Sequence, residues 1–551
     1  QAGLNADDSR RRRQNNSLSL RKQDREKKLQ KKRQRILERS SPNSGREDSV
    51  SLLSNGNTNQ SSSSSHQAPT ERVPTIQQLP KLVEGVYHTS IAAQFECVKG
   101  IRILLSQPDK PPIKQVIDVG VVPRLIQLSR DCEHAALQYE SLWALLNIAS
   151  GPAECTAHII RNNSHNVFID LLRSSRYYEI REQSMWALGN ISGDGKELKD
   201  LLLRNGILGN MLFICQSGFD AQCVTNFNNV PYVTRAPLLQ FLSLLGTASW
   251  TLSNLCRASP PPTLQHLELI IQCLMCLMKQ ALHYKSVLEE KNVAQLPGDL
   301  RGVLEHEAQR FANSVDEILG NIAWAASYLT GFEFDEEKLG YDGMQHLITR
   351  MGQDGLIEQF VSLMDYGNAN VRHSCNRVIG NILTGSDENT KKCLNLGILQ
   401  KYYNVLALYH CSSDGNGNNR EKKEICWALS NITAGPIEDK LLVLQHKLYP
   451  MLIGYLQSAP YEVGKEALWA LSNATTDQDK RIIAPLIELG IIKAICCFLQ
   501  QRTTAQNAHS RLNHKIVMVA LECIENILAV GHQHLALGEP NQFAAAFEEE
   551  G

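Results

Sequence analysis

Residues 426–435 read CWALSNITAG, and the core of that stretch, WALSN at Trp427–Asn431, returns unchanged at Trp469–Asn473. Looser copies lie upstream: WALLN (Trp143–Asn147), WALGN (Trp186–Asn190), WTLSN (Trp250–Asn254), WAASY (Trp324–Tyr328) and RVIGN (Arg377–Asn381). The chain has six Trp, and each opens one of these blocks. Successive first positions are 43, 64, 74, 53, 50 and 42 residues apart. A period of about 40–47 residues marks a two- or three-helix solenoid unit. The longer intervals then carry loop insertions, near 216–237 and 283–302, where stretches such as NVAQLPGDLRG break a helix.

From about Ile76 to Val530 apolar residues follow the helical period, with no sustained alternation of the strand kind. Gly-containing turns such as DVGVVPRLIQL (Asp118–Leu128) and ELGIIKAICCFL (Glu488–Leu499) punctuate the pattern. A short helix, a longer one and then the block on a last helix describe a three-helix armadillo unit. The predicted fold is all-α: an armadillo-repeat, right-handed superhelical solenoid over 76–535 behind a disordered basic N-terminal arm. Residues 41–75 (SSPNSG, SNGNTNQSSSSS) are too poor in apolar surface to fold and read as a flexible linker, and 536–551 reads as an acidic C-terminal tail.

Charge is distributed unevenly. Residues 1–40 hold fourteen Lys and Arg against five acids, a net +9, which leaves −10 for the remainder of a chain whose balance is −1. A cationic arm on an anionic body is positioned to compete for the body's acidic surface. The 15 cysteines sit in apolar stretches and read as reduced core thiols, Cys273 and Cys276 included. No run of about 18 apolar residues marks a membrane span. No phosphate loop, HExxH or GxSxG appears, and the histidines lack ligand spacing, so the chain reads as a non-enzyme with neither cofactor nor metal.

Within a block, Trp and Asn stand four apart and share one helix face. Stacked repeats then place indole rings and carboxamides in a ladder. An extended peptide advances about 6.8 Å per two residues, so alternate side chains fall between successive rings. Indole faces attract cations by ~0.5–2 kcal/mol each, and a carboxamide can clamp a peptide main chain without reading its sequence. Acids one turn before a Trp (Glu182, Glu424, Glu466) or in the following turn (Asp194, Asp387) supply counter-charge.

ALLNIASG, WALGNISGDG, WTLSNLCR, GNILTG, CWALSNITAG, WALSNAT and ENIL, with the basic head RRRRQNNSLSLRKQDREKKLQKKRQ, together resemble the importin-α (karyopherin-α) family over nearly the whole chain. The resemblance implies a nuclear import adaptor for mono- and bipartite basic nuclear localisation signals, shuttling between cytoplasm and nucleus. It implies a major cargo site at Trp143, Asn147, Gly151, Thr156, Glu182, Trp186, Asn190, Asp194, Trp250 and Asn254. A minor site would take Arg377, Asn381, Asp387, Glu424, Trp427, Asn431, Glu466, Trp469 and Asn473, with Trp324 and Tyr328 leading into it. Residues 1–40 would bind importin-β through Arg10, Arg11, Arg12, Arg13, Arg21, Lys22, Lys31, Lys32 and Arg33, the last three also autoinhibitory. The family's export receptor uses the C-terminal end, which departs from the pattern here, as do Asn321 and Thr247 in place of the usual Asp and Asn. Neither direct nucleic-acid nor membrane binding is implied. The competing reading is another armadillo scaffold, of the adhesion or signalling kind, that binds extended peptides.

Overall fold

In a computed structural model of the chain the described residues are 74–107, 110–131, 133–219, 237–257, 261–289, 298–332, 343–410, 419–503, 514–533 and 541–550. The basic head and almost all of the linker lie outside them. The described residues form helices and turns with no strand, as the armadillo reading predicts. They fall into two compact units: Gln1–Asp194 with Arg204–Asn210 and Phe219–Leu244, and Gly195–Leu203 with Met211–Gly218 and Leu245–Gly551.

In the first unit the helix Ile91–Leu105 packs on Ala135–Ala149, which packs in turn on Tyr178–Gly193. Ala135–Ala149 and Tyr178–Gly193 are buried along most of their length, and Ala135–Ala149 lies between the other two. Neither sequence carries a single apolar stripe, and polar residues such as Glu140, Arg181 and Gln183 are buried with the apolar ones. A buried ion pair ties the first two: Arg102 Nε lies 2.7 Å from Glu140 Oε2, both almost wholly out of water. Removing either partner of such a pair typically costs about 3–5 kcal/mol, since the other is left as an unpaired buried charge.

The second unit repeats the same packing. Gly298–Leu329, Ala369–Ile382, Asn419–Thr433, Tyr461–Thr475 and His514–Gln533 stack each on the next, while Ile398–His410, Leu448–Ser458 and Ile491–Thr503 stack alongside. In both units the turn before the middle helix of a repeat closes on a left-handed residue. Gly120 (φ 73°), Gly397 (φ 79°) and Gly490 (φ 86°) take that position readily, and Asn163 and Lys447 (both φ 57°) occupy it elsewhere.

A side-chain hydrogen bond accompanies the second unit's stacking. The block asparagines donate from Nδ2 to the main-chain oxygen of the fourth residue in the preceding block: Asn381 to Ser327 at 2.9 Å, Asn431 to Gly380 at 3.4 Å and Asn473 to Ser430 at 2.9 Å.

Two expectations about irregular segments change. The insertion read as 283–302 is helical at both ends, since one helix runs to Glu289 and the next begins at Gly298. The segment read as a tail contains the helix Gln542–Glu550, packed on Ile491–Thr503 and His514–Gln533. Its start is fixed by Asn541, which accepts from the Phe543 N–H (3.0 Å) and donates to Leu528 O (2.9 Å). Gly531 makes room for it: a Cβ there would overlap Asn541 Oδ1 and sit 2.7 Å from Phe543 Cδ2. Gly531→Ala should therefore loosen this terminal helix, costing about 1–3 kcal/mol of docking. Amide exchange should rise across 541–550 with the upstream repeats unchanged; equal protection in the two proteins would refute the docking role.

Candidate functional site

In the first unit, Trp143 is a core residue, 5 % exposed. The Arg102 guanidinium sits 4.5 Å from its ring centroid and Tyr139 meets it edge-on at 5.7 Å. The expectation of an open ring is therefore corrected here, because the chain's own cation covers the indole. Asn147 donates to Ser106 Oγ at 2.9 Å. Gly151 stands where a side chain would press on Ile113 (3.0 Å) and Cys155 (3.3 Å). Thr156 Oγ1 donates to Asp194 Oδ2 at 2.5 Å, bringing together two residues of the expected major cargo site. Glu182 accepts from Ser243 Oγ at 2.8 Å. Trp186 is half-buried. Asn190 Nδ2 and Oδ1 are both buried without a hydrogen-bond partner among the described residues, an arrangement that costs roughly 1–3 kcal/mol per group.

Trp250 and Asn254 belong to the second unit, the first half-buried and the second buried. Trp324 stacks on Tyr328 with centroids 6.1 Å apart, as their i, i+4 spacing requires, and meets the His373 ring at 5.6 Å. The Arg420 guanidinium lies 5.8 Å from the Trp324 ring. At the next step Arg377 pairs with Glu424 (2.7 Å) while its guanidinium rests 4.8 Å from the Trp427 centroid. Gly380 lies beneath that indole, with room for no side chain. Glu424 and Glu466 are buried, Asp387 is exposed at the start of the helix Asp387–Asn395, and Trp469 stands 38 % exposed. Asn381, Asn431 and Asn473 use Nδ2 on the preceding repeat, so the expectation that the whole carboxamide awaits a ligand is corrected. Asn321 donates to Ser249 Oγ (3.2 Å).

The electrostatics of the second unit change sign along the blocks. Near Trp324 and Trp427 the chain contributes Arg377 and Arg420. Farther on, burial together with Asp387 and Glu438 pushes the Asp439 carboxyl up, a sign of crowded negative charge around the Asp387 turn. Sequence reasoning missed Arg102, His373 and Arg420. Arg102 and Glu140 are 38 positions apart and make sense as a pair only once the repeats are stacked.

The armadillo/beta-catenin-like repeat family matches residues 109–150 and the importin beta binding domain family residues 1–99. Importin subunit alpha-3 of Arabidopsis thaliana is 32% identical over 555 residues, spanning 100% of this chain and 85% of that protein. Importin subunit alpha-1b of Oryza sativa subsp. japonica is 30% identical over 481 residues, spanning 86% and 74%. A solved structure from work on a phosphorylation switch in the cadherin–beta-catenin interaction covers 82% of this chain and 78% of its own at 12% identity, with a TM-score of 0.54. That last likeness is one of fold. The class is the armadillo-repeat proteins. Within it, the chain belongs to the importin-α family and is a nuclear import adaptor.

Burial, with the Arg420 and Arg377 charges beside it, holds the His373 imidazole down to about 3. A base whose folded value is lowered stabilises the fold fully above its unfolded value of about 6.5 and loses that contribution as pH falls toward 3. Between pH 7 and pH 5 the parent should lose about 2 kcal/mol more than His373→Gln in urea titrations. Parallel losses in the two proteins would contradict a neutral, buried His373.

Proposed function

We propose that this adaptor binds extended lysine- and arginine-rich cargo segments along its Trp/Asn blocks, with Trp143, Asn147, Gly151, Thr156, Glu182, Trp186, Asn190, Asp194, Trp250 and Asn254 forming a first site. Trp324, Tyr328, Arg377, Asn381, Asp387, Glu424, Trp427, Asn431, Glu466, Trp469 and Asn473 serve a second cluster. Residues 1–40 link the loaded adaptor to importin-β, and the chain shuttles between cytoplasm and nucleus.

The observation that carries this reading is the chain's own use of the blocks. Guanidinium groups of Arg102, Arg377 and Arg420 already rest over Trp143, Trp427 and Trp324, with Glu140 and Glu424 one turn before two of those rings. That three of the indoles hold a guanidinium supports reading the ladder as one suited to a peptide with a cation at every second or third position.

Asp194→Lys puts a repelling charge beside Thr156 and should weaken binding of a one-cluster peptide such as PKKKRKV by about 2–5 kcal/mol. Fluorescence anisotropy that gives an unchanged dissociation constant would make Asp194 an ordinary surface carboxylate.

The head, through Lys31, Lys32 and Arg33, competes for the same seats until importin-β removes it. A random coil of the length of 41–75 would reach roughly 30–35 Å. A tether of this kind gives an effective concentration on the order of 1 mM, so a cluster of ~10 µM intrinsic affinity suppresses cargo binding about 100-fold. Deleting residues 1–75 should tighten peptide binding accordingly at physiological salt, as should adding importin-β to the intact chain. A deletion that leaves the dissociation constant within about twofold eliminates the head as competitor.

A further inference from the structure

The residue four before a block's opening position lies one turn away on the same helix face. In the first unit Glu182 takes that place ahead of Trp186; in the second unit it falls to His373 ahead of Arg377 and to Lys423 ahead of Trp427. Arg420, seven before Trp427, continues that face by a further turn. These side chains gather beside Trp324. The His373 ring lies 5.6 Å from the indole and the Arg420 guanidinium 5.8 Å from it. The charges of Arg420, Arg377 and Lys423 all act on His373, against the one carboxylate of Glu424, which Arg377 already holds at 2.7 Å. Arg420 is exposed, and neither it nor Lys423 makes a hydrogen bond or ion pair with another described residue. His373 is 6 % exposed, and its Nδ1 is buried with no hydrogen-bond partner among the described residues.

We propose that Arg420, Lys423 and Arg377, beside the Trp324 ring, form a binding site for a phosphate monoester. Two unpaired cations and a third held by a single acid suit a dianion with three acceptor oxygens. A carboxylate would occupy one guanidinium fork and leave the other cation as it is. Stacking uses the face of the Arg420 guanidinium and leaves its N–H edge for an oxyanion. No acid of the chain has to be displaced from Arg420 or Lys423. Burial and the Arg420 charge keep His373 neutral at physiological pH, so the arginines and the lysine set the charge of the site.

Two sources offer this chemistry: a phosphorylated serine or threonine in the stretch joining two basic clusters of a cargo, and a free phosphate ester. The first rests on the cargo-binding reading above; the second does not. For cargo, the consequence is that a phosphoryl group, repelled at acid-flanked blocks such as that of Glu182, is attracted at this step.

The test uses the full chain and a peptide whose KR and KKKK clusters are joined by a neutral linker of alanine, glycine and serine. It is made with serine and with phosphoserine at each linker position in turn. In fluorescence anisotropy, phosphoserine at one or two adjacent positions should tighten binding about tenfold, as expected for two or three partly exposed charge-assisted contacts. Arg420→Gln should cut that gain below about threefold and Lys423→Gln should reduce it. Arg481→Gln, which removes the same charge from an exposed position elsewhere, should keep it. Arg420 and Lys423 have no polar partner to lose among the described residues, so their variants keep the fold. Excess phenyl phosphate is the free-ester arm, and it should raise the melting temperature of the parent but not of Arg420→Gln. A response in either arm that vanishes in Arg420→Gln supports the site and identifies its source. A parent that responds to neither probe, or a response that persists in Arg420→Gln and Lys423→Gln, overturns the proposal. Failure of the serine peptide to bind the parent would overturn the cargo-binding reading, and the phenyl phosphate arm alone then decides the anion site.

Discussion

Successive block helices are tied by the asparagine carboxamide, which reaches from one block to the main-chain oxygen at the fourth position of the block before it. Asn381, Asn431 and Asn473 all do this. The fourth position is glycine or serine at these three sites, small enough for the next helix to approach, and Gly380 also receives the Trp427 ring. Because Trp and Asn share a face, a tie that sets the spacing of the asparagines sets the spacing of the indoles as well. Indole spacing and repeat packing are thus one constraint. A carboxamide with two N–H groups and an acceptor can hold its neighbour and still offer hydrogen bonds to a peptide main chain.

Cations of the chain itself complete the picture. Arg102 on Trp143 is locked by Glu140 in the core, so that block contributes structure more than open surface. Arg377 on Trp427 is partly accessible and balanced by Glu424, an arrangement a ligand cation can join without leaving an acid unpaired. Arg420 at Trp324 adds positive charge, which disfavours a ligand cation at that step. Within the second unit, cation seats are therefore graded from self-filled near Trp324 to exposed at Trp469.

Helical class, repeat period and candidate residues were legible because they depend on short-range signals: an i, i+4 pair, a turn glycine, an acid one turn before a tryptophan. Partners across repeats were not. Arg102 with Glu140, and Lys440 with Asp477, lie roughly a repeat apart and become neighbours only through stacking. The helix Gln542–Glu550 was hidden because its composition, QFAAAFEEE, ends in acids and gave the impression of a solvated tail. Its alanines and phenylalanines are what pack. Asn147 and Asn190 share a block position, yet one is bonded to Ser106 and the other has no partner among the described residues. That difference depends on what the preceding helix presents, which the block alone does not encode.

The proposed cargo site requires that Asp194 and one particular cargo lysine recognise each other. A double-mutant cycle measures this directly, pairing Asp194→Asn with replacement of each PKKKRKV lysine in turn by norleucine, which keeps the stem and removes the charge. The account predicts one lysine with a coupling energy of about 2 kcal/mol or more and the others near zero. Small, equal couplings spread over all the lysines, each below about 0.5 kcal/mol, would mean diffuse charge attraction without an anchor and would contradict it.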